Sequence, residues 1–230
     1  MINDDLMRQP VISTLLLLLL CGSPLLSGGL QAAEISLNVF SDTVYTDNAR
    51  QAEANGRADY IEELGFGIEF VRLNKDLTAE LDFNVTQESY IRNTFSDETT
   101  LTTGVGLVNF RVVESFLDWS SSFKRSQVYK SSEGTDTPDN RNFRNILTTG
   151  PRMRTSLGQL TDLQMSVDYI QSEIDDGDTA DSKRIKGNST LYRRVSSVSS
   201  VGLSGDYLSI LDGHGSEEYD DWGVSLRYKR

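Results

Sequence analysis

The chain has 230 residues, 37% of them hydrophobic, and a formal net charge of −12 at pH 7. Such an acidic chain lacks the basic footprint of a nucleic-acid-binding protein, so we expect no nucleic-acid partner. A single cysteine excludes a small secreted domain held together by disulfides. No helical membrane span follows residue 33, but membrane strands carry apolar residues at only every second position and would look equally polar on average.

The first 33 residues have the pattern of a secretory signal peptide. Residues 11–20 form the apolar run VISTLLLLLL, and the sequence QAA at 31–33 is a small-residue exit of the kind that precedes cleavage. The acidic beginning fits this pattern poorly, so Met7 is an alternative to Met1 as the true start. We predict a signal peptide over 1–33 and a mature domain over 34–230.

The mature part is predicted to be all β. Residues 77–92, LTAELDFNVTQESYIR, carry apolar side chains at alternate positions from Leu77 to Val85 and polar or charged side chains between them. Successive side chains of a strand point to opposite faces, so this segment predicts a strand with one apolar and one polar face. Nine further segments predict strands: 34–46, 59–72, 100–113, 116–130, 142–157, 163–171, 183–194, 200–210 and 220–229.

Two all-β architectures compete, a soluble sandwich and a transmembrane barrel. Soluble strands have about 5–6 residues, whereas a tilted membrane-spanning strand needs about 9–11, and most of the predicted strands are at least that long. Aromatic residues also recur near both ends of the strands, as in the interfacial girdles of a barrel.

The predicted connections alternate in length, which favours the barrel. Short ones lie at 73–76, 114–115, 158–162 and 195–199, and longer polar ones at 47–58, 93–99, 131–141, 172–182 and 211–219. Outer-membrane barrels combine short periplasmic turns with long outward loops. We therefore predict an antiparallel up-and-down transmembrane β-barrel of about ten strands, with its apolar face against outer-membrane lipid.

The candidate functional residues are the charges on the polar face, which faces the lumen in a barrel. The strands at 59–72 and 77–92 contribute acids, and those at 142–157 and 183–194 contribute bases. These are Glu63, Glu69, Glu80, Asp82 and Glu88, and Arg144, Arg152, Arg154, Arg184, Lys186 and Arg194. An acidic wall that faces a basic wall could orient a polar solute or a sugar chain, or could join a plugged lumen by ion pairs. Ordinary lumen polarity is the third interpretation.

No motif for catalysis, a cofactor or a metal is found. His214 is the one histidine, in an acidic loop, whereas a zinc site needs three or four ligands. The Gly-x-Ser-x-Gly sequence of many hydrolases is absent. We predict that the protein is not an enzyme and binds no cofactor or metal.

The sequence VYTDN at 44–48 closes the first predicted strand. A YTDN element just after the signal, followed by long alternating strands, resembles the outer-membrane β-barrels associated with exopolysaccharide and PEP-CTERM gene systems, the β-barrel porin group. The resemblance implies an outer-membrane location in a Gram-negative bacterium. It also implies a passive conduit or scaffold in surface polysaccharide export, with polysaccharide and envelope export machinery as partners.

Two alternatives to this role remain, a general diffusion porin and a structural or adhesive barrel without transport. Barrels of the resembled family are usually larger and end in an aromatic residue, whereas this chain ends with Tyr228, Lys229 and Arg230. It is therefore either a ten-stranded barrel that closes by itself or a part of a larger barrel.

Overall fold

A computed structural model describes residues 33–52, 56–131, 136–175, 177–213 and 219–230, without the side chains of 177–180 and 212–213. The predicted signal peptide, apart from its last residue, and His214 lie outside the described residues. The described chain is one antiparallel sheet of ten strands that follow one another in sequence order. Its strands are β1 (Glu34–Thr46), β2 (Asp59–Leu73), β3 (Leu77–Tyr90), β4 (Glu98–Val113), β5 (Leu117–Tyr129), β6 (Arg141–Ser156), β7 (Thr161–Ile174), β8 (Gly177–Arg194), β9 (Ser200–Gly213) and β10 (Tyr219–Lys229).

The predicted all-β, up-and-down order of ten antiparallel strands is confirmed. The described part of the chain contains no helix that is long and apolar enough to cross a membrane. We call the side of the sheet with the connections 74–76, 114–116, 157–160 and 195–199 the short-turn end. The opposite side, which includes the connections 47–58, 91–97 and 130–140, is the long-connection end.

The predicted long loop at 172–182 is wrong. Strand β7 continues to Ile174 and β8 begins at Gly177, so two residues join them. The ladder extends through an irregularity between Ser172 and Ile174, because backbone groups gain partners in the ladder that a loop would have to find in water. The strict alternation of short and long connections therefore fails at this hairpin.

The register separates the side chains into two faces, which we call the apolar face and the polar face. On the apolar face Leu37 is opposite Ile68, and Ile68 is opposite Phe83. On the polar face Asn38 is opposite Gly67, which is opposite Asn84. The apolar face is found again on β9 and β10, where Leu203 is opposite Leu226. At the long-connection end of β5–β7 the same face carries polar side chains instead, because Gly104, which is opposite Phe83, is followed across the sheet by Arg125, Asn145 and Glu173.

Aromatic rings cover glycines of neighbouring strands on both faces. A Cβ atom added to Gly65 would lie 2.0 Å from the ring of Phe40, and one added to Gly104 would lie 3.0 Å from the ring of Phe123. An aromatic side chain placed over a strand glycine shields its backbone and fixes the register. Phe123 is buried by this packing, and its ring stacks on Phe83 with 6.2 Å between centroids.

The sheet is open between its first and last strands. Strand β1 pairs only with β2, and β10 pairs only with β9. All side chains but one are exposed in each of these two strands. The predicted ten-stranded sheet is therefore present, but its first and last strands are not paired into a closed barrel.

Candidate functional site

The polar face carries all eleven predicted charges. Partner positions connect the acidic strands to the basic ones along a single face, from Glu80 through Leu107, Ser122, Thr148 and Ile170 to Arg184. The acidic residues Glu63, Glu69, Glu80, Asp82 and Glu88 lie on β2 and β3, and the basic residues Arg144, Arg152, Arg154, Arg184, Lys186 and Arg194 lie on β6 and β8. The residues of each predicted wall thus lie on neighbouring or nearby strands.

A row of four carboxylates crosses the long-connection end of the polar face. Asp42 is opposite Glu63, Glu63 is opposite Glu88, and Glu88 is opposite Glu98. Like charges directly opposite each other in a sheet destabilise it. The row therefore favours a basic partner above it.

Arg141, at the start of β6, is that partner for part of the row. Its guanidinium forms ion pairs with Glu88 and, at 2.7 Å, with Asp136. The hydroxyl of Tyr90 donates a hydrogen bond of 2.9 Å to the second oxygen of Glu88. The side chains of Arg141 and Glu88 are only 17% and 10% exposed. Ion pairs with so little exposure are screened far less than surface pairs.

This contact joins strands that are not neighbours. In a flat sheet, two intervening strands place β3 and β6 about 14 Å apart. The ion pair between Glu88 and Arg141 therefore spans this distance by long side chains at the long-connection end. Residues 136–141 lie over the acidic row, and Gln51 donates a hydrogen bond of 3.1 Å to the carbonyl of Asp136.

Asp59 anchors the neighbouring connection at the loop end of β2. Its fully buried carboxylate accepts hydrogen bonds from the backbone N–H groups of Tyr60, Arg92 and Thr94 at 2.8, 2.7 and 3.0 Å. Burial alone would raise the pKa of Asp59, but these donors hold the pKa below its ordinary value of 3.8. The carboxylate thus fixes the backbone that follows β3.

The basic side of the polar face is partly neutralised at the short-turn end. Arg152 pairs with Asp168 of β7 at 2.8 Å, and Arg111 of β4 pairs with Asp76 at 3.1 Å. With Arg154, these arginines border an open cavity of about 480 Å³. Among the described residues Arg154 has no side-chain hydrogen bond or ion pair.

The predicted set of charges omits several members of this surface. Asp42, Lys124, Asp168 and Asp206 share the polar face by register, and the alternation of their own strands places them there. Arg141 had no such signal, because it falls in a predicted loop and its partner is 53 residues away. No group of three or more acidic, cysteine or histidine side chains in the described ranges is arranged to hold a metal ion.

The site is therefore a charged surface with acids at β1–β4 and bases centred on β6 and β8. Its hydroxyl, amide and charged groups can bind and orient a polar solute. In comparisons with known proteins, no family model, no curated protein and no solved structure matches the chain.

Proposed function

We propose that the chain is an outer-membrane β-barrel protein of a Gram-negative bacterium, with its apolar face against lipid and its polar face around the lumen. The observation that carries this proposal is the set of exposed apolar side chains on one face of β1–β2 and of β7–β10. Side chains as far apart as Val39, Leu64, Val167 and Leu203 are 71%, 58%, 45% and 50% exposed. Monomeric soluble proteins rarely expose an apolar patch of more than a few hundred Å².

Strand length supports the same location. The strands contain 11 to 18 residues, whereas a tilted strand crosses a bilayer with about 9–11. Every strand can therefore span the hydrocarbon, and the longer ones project beyond it.

Within this location we assign the chain the role of a passive conduit or scaffold in surface polysaccharide export. The support is the resemblance carried by the YTDN element and the chemistry of the polar face. Side chains such as Asn38, Ser122, Thr148 and Asn188, none of which is buried, offer amide and hydroxyl groups of the kind that hydrogen-bond sugar hydroxyls.

A structural or adhesive barrel is the second candidate, and the contacts of Arg141 favour it. Through Glu88 and Asp136, Arg141 fixes residues 136–141 over the long-connection end. These residues would cover the entrance of the lumen and restrict the passage of solutes. A general diffusion porin would need a wide open lumen at the same place.

Two neighbouring substitutions test the membrane location. Ile68 is on the apolar face and Glu69 is on the polar face of β2, and both are exposed. Ile68→Arg places a charge against lipid, which costs about 2–4 kcal/mol near the bilayer centre. Glu69→Arg places the same charge opposite Asp82.

We expect Ile68→Arg to deplete the protein from the outer-membrane fraction and Glu69→Arg to leave it there, both measured by fractionation and immunoblotting. Equal amounts of both variants in the membrane, or a soluble wild-type chain, would refute the location. Single-channel recording of the purified protein in planar bilayers then separates the two roles. Stepwise conductance supports the conduit, and its absence from correctly inserted protein supports the scaffold.

A further inference from the structure

We infer that the two free edges of the sheet, β1 and β10, pair with each other with Thr46 opposite Tyr219, so that the ten strands close into a barrel by themselves. This inference deepens the proposed function and rests on it, because lipid makes an open edge intolerable. It assigns the partner of each edge and the register between them.

Both edges need a partner in a membrane. Strand β1 has 13 residues and β10 has 11, and each has one unpaired side. Backbone N–H and C=O groups without hydrogen bonds are strongly disfavoured in hydrocarbon, so open edges do not face lipid. The outermost strands are antiparallel in an up-and-down sheet of ten, so β1 and β10 can pair directly.

The stagger of the sheet sets the register. Moving at right angles to the strands, from partner to partner, connects the first residue of β1 to the first residue of β10. The path runs Glu34, Val71, Glu80, Leu107, Ser122, Thr148, Ile170, Arg184, Ile210 and Tyr219. Glu34 lies at the short-turn end and Tyr219 at the long-connection end, so the path climbs the full length of a strand.

Because the path ends at Tyr219, a barrel closes only if a residue of β1 at the long-connection end can pair with Tyr219. Thr46, the last residue of β1, lies about 12 residues above Glu34 and at the same end as Tyr219. With about 3.3 Å per residue and about 4.8 Å between strands, this shift over ten strands gives a strand tilt of about 40°. Closed barrels have tilts of about 35–45°. The paired strands therefore already contain the stagger that closure requires.

The side chains favour this register over its neighbour. A shift must involve an even number of residues, because an odd shift would put apolar side chains on the polar face. With Thr46 opposite Tyr219, Val39 meets Leu226 on the apolar face. A shift of two residues, with Val44 opposite Tyr219, would place Asp42 opposite Asp221, and such like-charge pairs are destabilising.

Closure also places the acidic wall of β2 and β3 opposite basic residues. In a ring of ten, strands five positions apart face each other, so β3 faces β8 and β1 faces β6. Glu80, Asp82 and Glu88 then lie across the lumen from the strand that carries Arg184 and Lys186. Opposite backbones are about 20 Å apart, so the lumen is narrow and side chains fill much of it.

A disulfide test in the full chain decides the register. In a Cys21→Ser background, Val39→Cys with Leu226→Cys places two thiols directly opposite each other on the proposed seam. Val39→Cys with Val224→Cys is the control, because diagonal positions are about 7–8 Å apart, beyond the usual reach of a disulfide. After mild oxidation of outer membranes, gel mobility with and without reductant and maleimide labelling of free thiols report the bond.

We expect the Val39/Leu226 pair to give a monomer with a reductant-sensitive mobility. The fraction of chains with a disulfide should be at least five-fold higher than in the control. A disulfide-linked dimer would show that the edges pair between two copies. No bond, or equal bonding in both pairs, would show a different edge partner or register, and each of these results overturns the inference. If these results come from a chain that stays in the outer membrane, the proposed location stands, whereas a soluble wild-type chain refutes that location instead.

Discussion

The middle strands β3–β6 and the edge strands β1 and β10 share one alternating pattern but differ in packing. In the middle, Phe123, Phe143 and Glu88 are buried among neighbours on both sides. At the edges, Val39 and Trp222 are 71% and 76% exposed. Side chains of a sheet are covered mainly by the strands beside them. The higher exposure of the edge side chains therefore comes from the absence of a second neighbouring strand and not from a different kind of sequence.

The largest expected effect comes from crowding the middle of the sheet. A Cβ atom added to Gly150 of β6 would lie 1.8 Å from the carbonyl oxygen of Val167 on β7, and backbone cannot move away as a side-chain end can. We expect Gly150→Ala to lower the free energy of unfolding by about 3 kcal/mol. Urea unfolding of detergent-folded protein, followed by tryptophan fluorescence, measures this change. An unchanged midpoint would contradict the close approach of β6 and β7.

The second effect tests the contact between β3 and β6 at the long-connection end. Glu88→Ala removes the ion pair with Arg141 and the acceptor of the Tyr90 hydroxyl. Asp136 still pairs with Arg141, so we expect a loss of about 2 kcal/mol rather than the 3–5 kcal/mol of a fully broken buried pair.

The matched control is Glu80→Ala, since Glu80 is exposed on the same face of the same strand. It should change stability by less than about 0.5 kcal/mol. Equal losses in the two variants would mean that strand acidity matters and the Arg141 contact does not. The same urea titrations distinguish these results.

A smaller, pH-dependent effect is expected at Asp59, outside the membrane-spanning part of the proposed barrel. Asp59→Asn keeps an oxygen for Tyr60 and Arg92 but turns an amide N–H₂ towards the N–H of Thr94. We expect a loss of stability at pH 7 that is smaller than that of Glu88→Ala. The direction of the pH dependence follows from the carboxylate, which accepts hydrogen bonds from all three N–H groups only when it is ionised.

Because the folded-state pKa of Asp59 lies below the ordinary value of 3.8, its contribution is fully present above that value. It is lost as the pH falls through the lower folded-state pKa. The stability difference between wild type and Asp59→Asn should therefore shrink between pH 5 and pH 2, as measured by urea unfolding at each pH. A difference that grows on acidification would show that the carboxylate is not held ionised.

The smallest effect is expected at an edge. Nothing lies within 4 Å of a Cβ atom added to Gly223 of β10. We expect Gly223→Ala to change the free energy of unfolding by less than about 0.5 kcal/mol, since alanine also restricts the unfolded chain. Thermal melts beside Gly150→Ala provide the comparison, and a loss as large as that of Gly150→Ala would contradict the open space around Gly223.

Much of the fold could be predicted because alternation is a local signal. All ten strands were predicted, and the shared face of Glu63, Glu69, Arg144 and Arg184 follows from counting by twos within each strand. The turn between β7 and β8 could not be predicted, because polar residues at 172–182 suit a loop and an extended ladder equally well. The position of Arg141 could not be predicted either, because its contact with Glu88 joins two strands that are not neighbours in the sheet.

The sequence by itself determined the strands, their two faces and the separation of acids from bases, since each depends only on residues two positions apart. Tertiary structure alone decided the registers, because backbone hydrogen bonds between strands carry no residue identity. Those registers place the four carboxylates from Asp42 to Glu98 in one row. The tertiary structure also brings Arg141 to this row and displaces Tyr219 from Glu34 by the length of a strand. The displacement of β10 relative to β1 is the sum of the offsets between all neighbouring strands, so it exists only in the assembled sheet.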